Sequence, residues 1–205
     1  MLKRTSINIV NSILKDNKNW KILDIGCGYS ANEFADVIAD VKDLTSHYKD
    51  RKFVRITENK LPFKDKEFDF VIASHVIEHV ENFEFFIKEL ERISAKGYIE
   101  LPTRFADNLI FENKKDHIWW FLFDDTKNQL VASKKNQIID PFINVSTGKI
   151  FENIFRESFV LELLWNDRID YTIDKSLRNE SFEKISFYKL IKKFFSKKIR
   201  GFLKN

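Results

Sequence analysis

Ile22-Leu23-Asp24-Ile25-Gly26-Cys27-Gly28 is the stretch whose reading decides the fold. With Trp20 and Lys21 before it, it reads as a short apolar strand that runs into a glycine turn. Glycine lets the backbone bend sharply and approach a ligand closely, and the free N–H groups of such a turn favour negative groups such as a carboxylate. A strand tip of this kind is where an open α/β sheet binds its ligands. The spacing Gly26-x-Gly28-x-x-Ala31 also satisfies the loose dinucleotide pattern. Asp24, just before the turn, would repel a pyrophosphate, and the segment leading to the next strand leaves little room for the usual dinucleotide helix.

Outward from this turn the chain alternates. Ile7, Val10, Ile13 and Leu14 recur at helical spacing and predict an amphipathic helix over 4–16. Asp36 to Asp40 and Phe53 to Ile56 read as short strands. Phe68 to Ser74 is nearly continuous in apolar residues, as in a parallel strand covered on both faces. Asn82 is placed to cap a helix whose buried stripe is Phe83, Phe86, Ile87, Leu90 and Ile93. Gly97 is expected near that helix's end in a left-handed conformation. Tyr98 to Leu101 is the next strand, stopped by Pro102. This alternation indicates an open, parallel α/β sheet. Further on, Trp119–Phe123 and Gln129–Ala132 flank a turn, as do Phe159–Trp165 and Ile169–Ile173, giving two expected hairpins; residues 103–158 carry the weakest pattern.

Composition bounds the function classes. At 205 residues with 43 % hydrophobic and 32 % charged residues, the chain suits one domain with a sizeable core. A single cysteine, Cys27, can form no internal disulfide, which fits a reducing, cytoplasmic compartment. The longest apolar run, Ile118 to Phe123, is far short of the ~20 residues that span a bilayer. The opening Met-Leu-Lys-Arg-Thr-Ser lacks the apolar stretch of a secretory signal. The net charge of +4 is uneven: Lys184 to Asn205 carries eight basic and no acidic residues, leaving −4 on the remainder. On a helical wheel this tail sets Phe187, Leu190, Ile191, Phe194, Phe195, Ile199 and Phe202 against Lys189, Lys193, Lys197 and Arg200. Such a helix could lie on an anionic membrane surface, or dock on the domain or a partner subunit with its lysines in water.

Three motifs together carry a resemblance. Ile22 to Gly28, then Leu61-Pro62-Phe63 with Phe68-Asp69, then His75-Val76-Ile77-Glu78-His79-Val80 resemble the class I S-adenosylmethionine-dependent methyltransferases of the type 11 group. The match covers about residues 20–102 in order. It implies a Rossmann-like α/β fold with a mostly parallel seven-stranded sheet and a C-terminal antiparallel hairpin. With it the expected division is a methyltransferase domain over 1–183, with 103–158 as an insertion covering the acceptor, and, from its charge and periodicity, a basic amphipathic helix or tail over 184–205. S-adenosylmethionine is the cofactor so implied. The Gly26–Cys27–Gly28 backbone would cradle its methionine end, with Asp24 facing the ammonium. An acid ending the second strand, Asp40 or else Asp43, would accept from the ribose hydroxyls, since one carboxylate serves two adjacent O–H groups. Cys27 itself reads as a small packed residue of the loop. The family often has an Asp four positions before Leu-Pro-Phe, near the adenine; here Thr57 stands there, followed by Glu58. Ser74 and His75 would lie beside the methionine portion.

Methyl transfer from a sulfonium needs mainly in-line positioning, and a hydroxyl acceptor also needs a base. Candidate bases are His75, at the strand end, His79 and His117; His79 could instead orient the following helix, and His117 could be structural. Trp119, Trp120, Phe121 and Phe123 could wall a sugar or aromatic acceptor, or simply pack as strand residues. The expected acceptor is a small molecule, glycan or lipid-linked group. No nucleic acid is expected, because Ser74-His75-Val76-Ile77 replaces the Asn/Asp-Pro-Pro-aromatic motif of base N-methylases. No metal ligand set is evident: His75 and His79 are four apart and lack a third partner in the sequence. A non-catalytic cofactor-binding subunit and an NAD-dependent oxidoreductase stay open as other readings.

Overall fold

The computed structural model describes residues 1–175 and 186–202. The chain opens with β1 (Leu2–Arg4) and α1 (Ile7–Asp16), followed by β2 (Ile22–Ile25), β3 (Val37–Asp40), β4 (Lys52–Arg55) and β5 (Phe70–Ser74). After a 3-10 turn over Ile77–His79 come α2 (Phe83–Ile93), β6 (Lys96–Pro102), α3 (Arg104–Leu109) and α4 (Asn113–Asp116). The remainder is β7 (Trp119–Asp124), β8 (Gln129–Lys134), α5 (Val145–Ile154), α6 (Arg156–Phe159), β9 (Val160–Asn166), β10 (Tyr171–Ile173) and α7 (Phe187–Phe202).

Seven strands form the main sheet in the order β1-β9-β6-β5-β2-β3-β4. The five from β6 to β4 run parallel; β9 is antiparallel to β6, and β1 is antiparallel to β9. Strand alternation sorts the core into two layers. Ile22, Ile38, Phe70, Ile72 and Tyr98 point to one face, against Val10 and Leu14 of α1. Leu23, Val37, Ala39, Val71 and Ile99 point to the other, against Phe83, Ile87 and Leu90 of α2 and against Trp119 and Phe121. Asn82 caps α2 by accepting from Phe85 N–H at 3.1 Å.

The first expected hairpin forms as β7 and β8, whose second sheet has the order β10-β8-β7. The second does not form. Both edges of β9 are taken, by β6 and by β1, so Tyr171–Ile173 has no place beside it and pairs parallel with β8 instead. The strand Leu2–Arg4, which overlaps the expected helix over 4–16 only at Arg4, fills that edge. Gly97 is likewise not a helix terminator, since it lies inside β6. A Cβ there would sit 2.4 Å from the Val71 carbonyl and 2.5 Å from Trp165 Nε1, so close packing is what demands glycine. Trp119, Trp120 and Phe121 are buried core residues, whereas Phe123 is half-buried.

No helix spans residues 26–36, between β2 and β3. Side chains hold this crossover instead: Arg51 donates to the carbonyls of Asn32 and Ala35 at 2.8 and 2.5 Å. Tyr48 Oη donates to the Gly28 carbonyl at 2.8 Å and accepts from Ala31 N–H at 3.0 Å. At the other end of the chain, α7 leaves Phe194, Phe195 and Ile199 exposed, while Phe187 stacks on Phe142 with centroids 6.0 Å apart. The boundary expected at 183 and 184, and Lys204, lie outside the described residues. Among the described residues no helix is long and apolar enough to cross a membrane.

Candidate active site

Register places Ile25, Ala39 and Ala73 side by side at the carboxyl edge of the sheet. The next residues, Gly26, Asp40 and Ser74, are therefore neighbouring tips. Gly26 (φ +71°) and Gly28 (φ +50°) occupy the left-handed region. A Cβ on Gly26 would meet Val76 Cγ2 at 2.3 Å, whereas one on Gly28 would meet nothing within 4 Å. The turn is thus clamped at one glycine and open at the other. Asp40 is buried and accepts from Gly28 N–H at 2.9 Å and Lys42 N–H at 2.8 Å. Asp24, also buried, accepts from Asn32 N–H at 2.7 Å, and burial pushes its carboxyl up to about 6 against that hydrogen bond. Cys27 is buried, and burial together with the charges of Asp24 and Asp40 pushes its thiol up to about 12. It remains protonated at neutral pH and fills space. Asp43 is exposed; its carboxylate accepts from Thr45 and faces Arg55 at 3.9 Å. Thr57 and Glu58 are exposed just beyond β4, and Ser74 is half-buried at the tip of β5.

His75 follows Ser74 with φ +54°, a strained setting for a non-glycine residue. Its Nε2 faces Glu100 Oε1 at 3.2 Å and its Nδ1 faces Glu78 Oε1 at 3.3 Å. Burial pulls the imidazole down, but the two carboxylates outweigh it and raise the ring to about 10. Sequence position suggested His75 as a proton acceptor. The geometry gives it the opposite character, because neither ring nitrogen presents a free lone pair at neutral pH. Glu100 is also paired with Arg156 and accepts from Tyr98 Oη at 2.7 Å.

His79 and His117 differ from His75. His79 Nδ1 lies 2.9 Å from the Asp116 carbonyl, which can only accept, so Nδ1 carries the proton and Nε2 the lone pair. Buried His117 Nδ1 lies 2.5 Å from Asp107 Oδ1 and is fixed in the same tautomer. The two rings meet edge-on with centroids 4.5 Å apart. Beside them opens a cavity of about 280 Å³, lined among others by His75, His79, His117, Glu112, Lys149 and Glu152. Its outer wall comes from residues within 103–158, the stretch least readable in sequence.

Comparison with known proteins bears on this arrangement. Residues 23–99 match the family model described as a methyltransferase domain. The matched segment, under half of the chain, is similar to a methyltransferase domain. An uncharacterized protein of Methanocaldococcus jannaschii is 32 % identical over 115 residues, covering 52 % of this chain and 50 % of that protein. The chain thus spans about half the length of that curated relative. Among solved structures, a Pyrococcus horikoshii protein is 16 % identical over 78 % of this chain and 88 % of its own, with a TM-score of 0.44. A methyltransferase from Mesorhizobium loti is 12 % identical over 76 % of this chain and 72 % of its own, with a TM-score of 0.41.

The matched segment ends before the cavity is complete. Of the cavity lining it supplies His75 and His79, while His117, Glu112, Lys149 and Glu152 come from beyond residue 99. Sequence reasoning missed Glu78, Glu100, Asp107 and Tyr48. Glu78 stood inside a quoted motif, four residues after Ser74. Asp107 carried no signal, since only folding brings it to His117.

Proposed function

We propose that the chain transfers a methyl group from S-adenosylmethionine to a small-molecule, glycan or lipid-linked acceptor seated in the histidine-lined cavity. The observation that carries this reading is the pair of buried carboxylates, Asp24 and Asp40, around a glycine turn that is open at Gly28. Asp24 is held out of water, and that burial raises its pKa to about 6 although Asn32 N–H and the charge of Arg51 favour the anion. A ligand ammonium favours it further. Asp40 keeps lone pairs for ribose hydroxyls beyond the two backbone N–H groups it already accepts. The residues present therefore fit the cofactor, although Thr57 and Glu58 lack the family's adenine-side Asp.

The cofactor when bound supplies an activated methyl group. The chain's own residues bind, orient and exclude water. Gly26, packed on Val76, fixes the turn relative to the β5 tip and so relative to the cavity. His75, held as a cation between Glu78 and Glu100, orients that tip and acts as a donor. A hydroxyl acceptor must lose a proton, and the ring nitrogens with lone pairs to offer are Nε2 of His79 and of His117. The exposed apolar face of α7, backed by lysines, is the part that we assign to peripheral contact with an anionic membrane surface.

Calorimetry with S-adenosylhomocysteine and with NAD tests the reading. Binding of the nucleoside without NAD is the expected result; tight binding of NAD alone overturns it.

A further inference from the structure

We propose that Glu78, His79 and His117 form a binding site for one divalent first-row transition cation at the edge of the cavity. One ligand atom from each of these three residues lies within 4.8 Å of the other two. Proximity alone would carry little, because acidic and imidazole groups often gather without an ion. Three further observations point to a cation.

The first is Glu78. Its side chain is 0 % exposed, and neither carboxylate oxygen accepts a hydrogen bond. Oε1 has only the unaligned 3.3 Å contact with His75 Nδ1, and Oε2 has no partner among the described residues. Buried carboxylates left this way are costly unless a cation meets them. The second is the orientation of each imidazole. Asp116 O and Asp107 Oδ1 each engage an Nδ1, so Nε2 is the nitrogen that each ring has left for a cation. A histidine whose far nitrogen is hydrogen-bonded to a carboxylate or carbonyl is the usual support for a metal ligand.

The third is how firmly that support is built. Asp107 is 0 % exposed and is held by Trp120 Nε1 at 2.5 Å and by Lys135 Nζ at 2.8 Å as well as by His117. Its carboxylate has a compensating charge in Lys135, so it is free to orient His117 rather than to neutralise it. The neighbouring group of His75, Glu100 and Glu152 makes a useful contrast. It meets the same distance criterion, but Arg156 already pairs with both of its carboxylates. In the Glu78 group no Arg or Lys pairs with the carboxylate among the described residues: His75 faces Oε1 at 3.3 Å without a hydrogen bond, and Oε2 has no hydrogen-bond partner.

Two imidazoles and one carboxylate suit Zn²⁺, Co²⁺, Mn²⁺ or Fe²⁺ rather than the all-oxygen preferences of Mg²⁺ and Ca²⁺. Three protein ligands leave a position open toward the cavity, the arrangement of a working rather than a structural site. Where the cavity holds a hydroxyl acceptor, a point that rests on the function proposed above, the cation rather than either imidazole would lower the hydroxyl's pKa.

The test uses the full chain without an affinity tag, stripped with a chelator and titrated with Co²⁺ and Zn²⁺. The expected result is one equivalent bound, with visible d–d absorption for Co²⁺ at low coordination number. His79→Ala changes an exposed side chain and leaves the fold intact; it should weaken binding at least about 100-fold, and Asp107→Asn about 10–100-fold. Absence of saturable one-to-one binding overturns the site, and so does binding unchanged in both His79→Ala and Glu78→Gln. S-adenosylhomocysteine titrated into the same samples reports on the glycine turn alone. Loss of nucleoside binding with cation binding retained would sink the proposed function and leave this site standing.

Discussion

His117 Nδ1 lies 2.5 Å from the buried carboxylate of Asp107, ten positions earlier in the chain. Asp107 gathers three donors at once, His117, Trp120 and Lys135, so one carboxylate locks α3, the start of β7 and the end of β8 together. Replacing Asp107 by Ala strands the buried Lys135 ammonium. We expect a loss of about 3–5 kcal/mol in urea unfolding. The double variant Asp107→Ala/Lys135→Met should recover part of it; no recovery would show that charge pairing is not what Asp107 contributes.

Asp24 sets a pH dependence. Unliganded, its carboxyl titrates at about 6, because burial disfavours the anion. An ammonium ligand needs the anion, so affinity for S-adenosylhomocysteine should rise with pH through about 6 and then level off. Asp24→Asn should bind more weakly at pH 8 and lose that rise. A flat profile for the unmodified chain between pH 5 and 7 would remove Asp24 from the ammonium contact.

The two turn glycines should respond unequally. Gly28→Ala meets open space and carries only the cost of a left-handed side chain, about 1–2 kcal/mol. Gly26→Ala adds a 2.3 Å collision with Val76, and overpacking brings a further 1–3 kcal/mol or so. Thermal unfolding should rank Gly26→Ala clearly below Gly28→Ala; equal midpoints would contradict the packing described.

Removing residues 184–205 deletes eight basic side chains and the exposed apolar face of α7. Cosedimentation with vesicles rich in anionic lipid should fall sharply on truncation and with added salt. Cosedimentation that survives truncation would assign the membrane contact elsewhere or dismiss it.

Much of the parallel sheet was legible because its strands announce themselves locally. Ile22–Ile25 and Phe70–Ser74 are apolar enough to be buried on both faces, and Asn82 caps α2 through contacts within one turn. Asp40 at the tip of β3 was legible for the same reason, since a carboxylate ending a buried strand has one place to be. Gly97 misled because two unrelated demands select glycine: a left-handed helix end, and the close approach of Val71 and Trp165 that operates here. The second hairpin misled because a turn predicts a reversal and says nothing about which edge is vacant. Leu2–Arg4 had already filled the edge that Tyr171–Ile173 needed.

The sequence by itself determined the central parallel strands, the glycine turn and the two acids beside it, all features set by neighbours a few residues apart. Tertiary structure alone decided the chemistry of the histidines. His75 is held as a cation because β6 brings Glu100 to it, and His117 is oriented through its Nδ1 because α3 brings Asp107. The physical reason is that an imidazole has no fixed role of its own: its proton goes where the nearest carboxylate or carbonyl directs it, and those partners arrive only by folding.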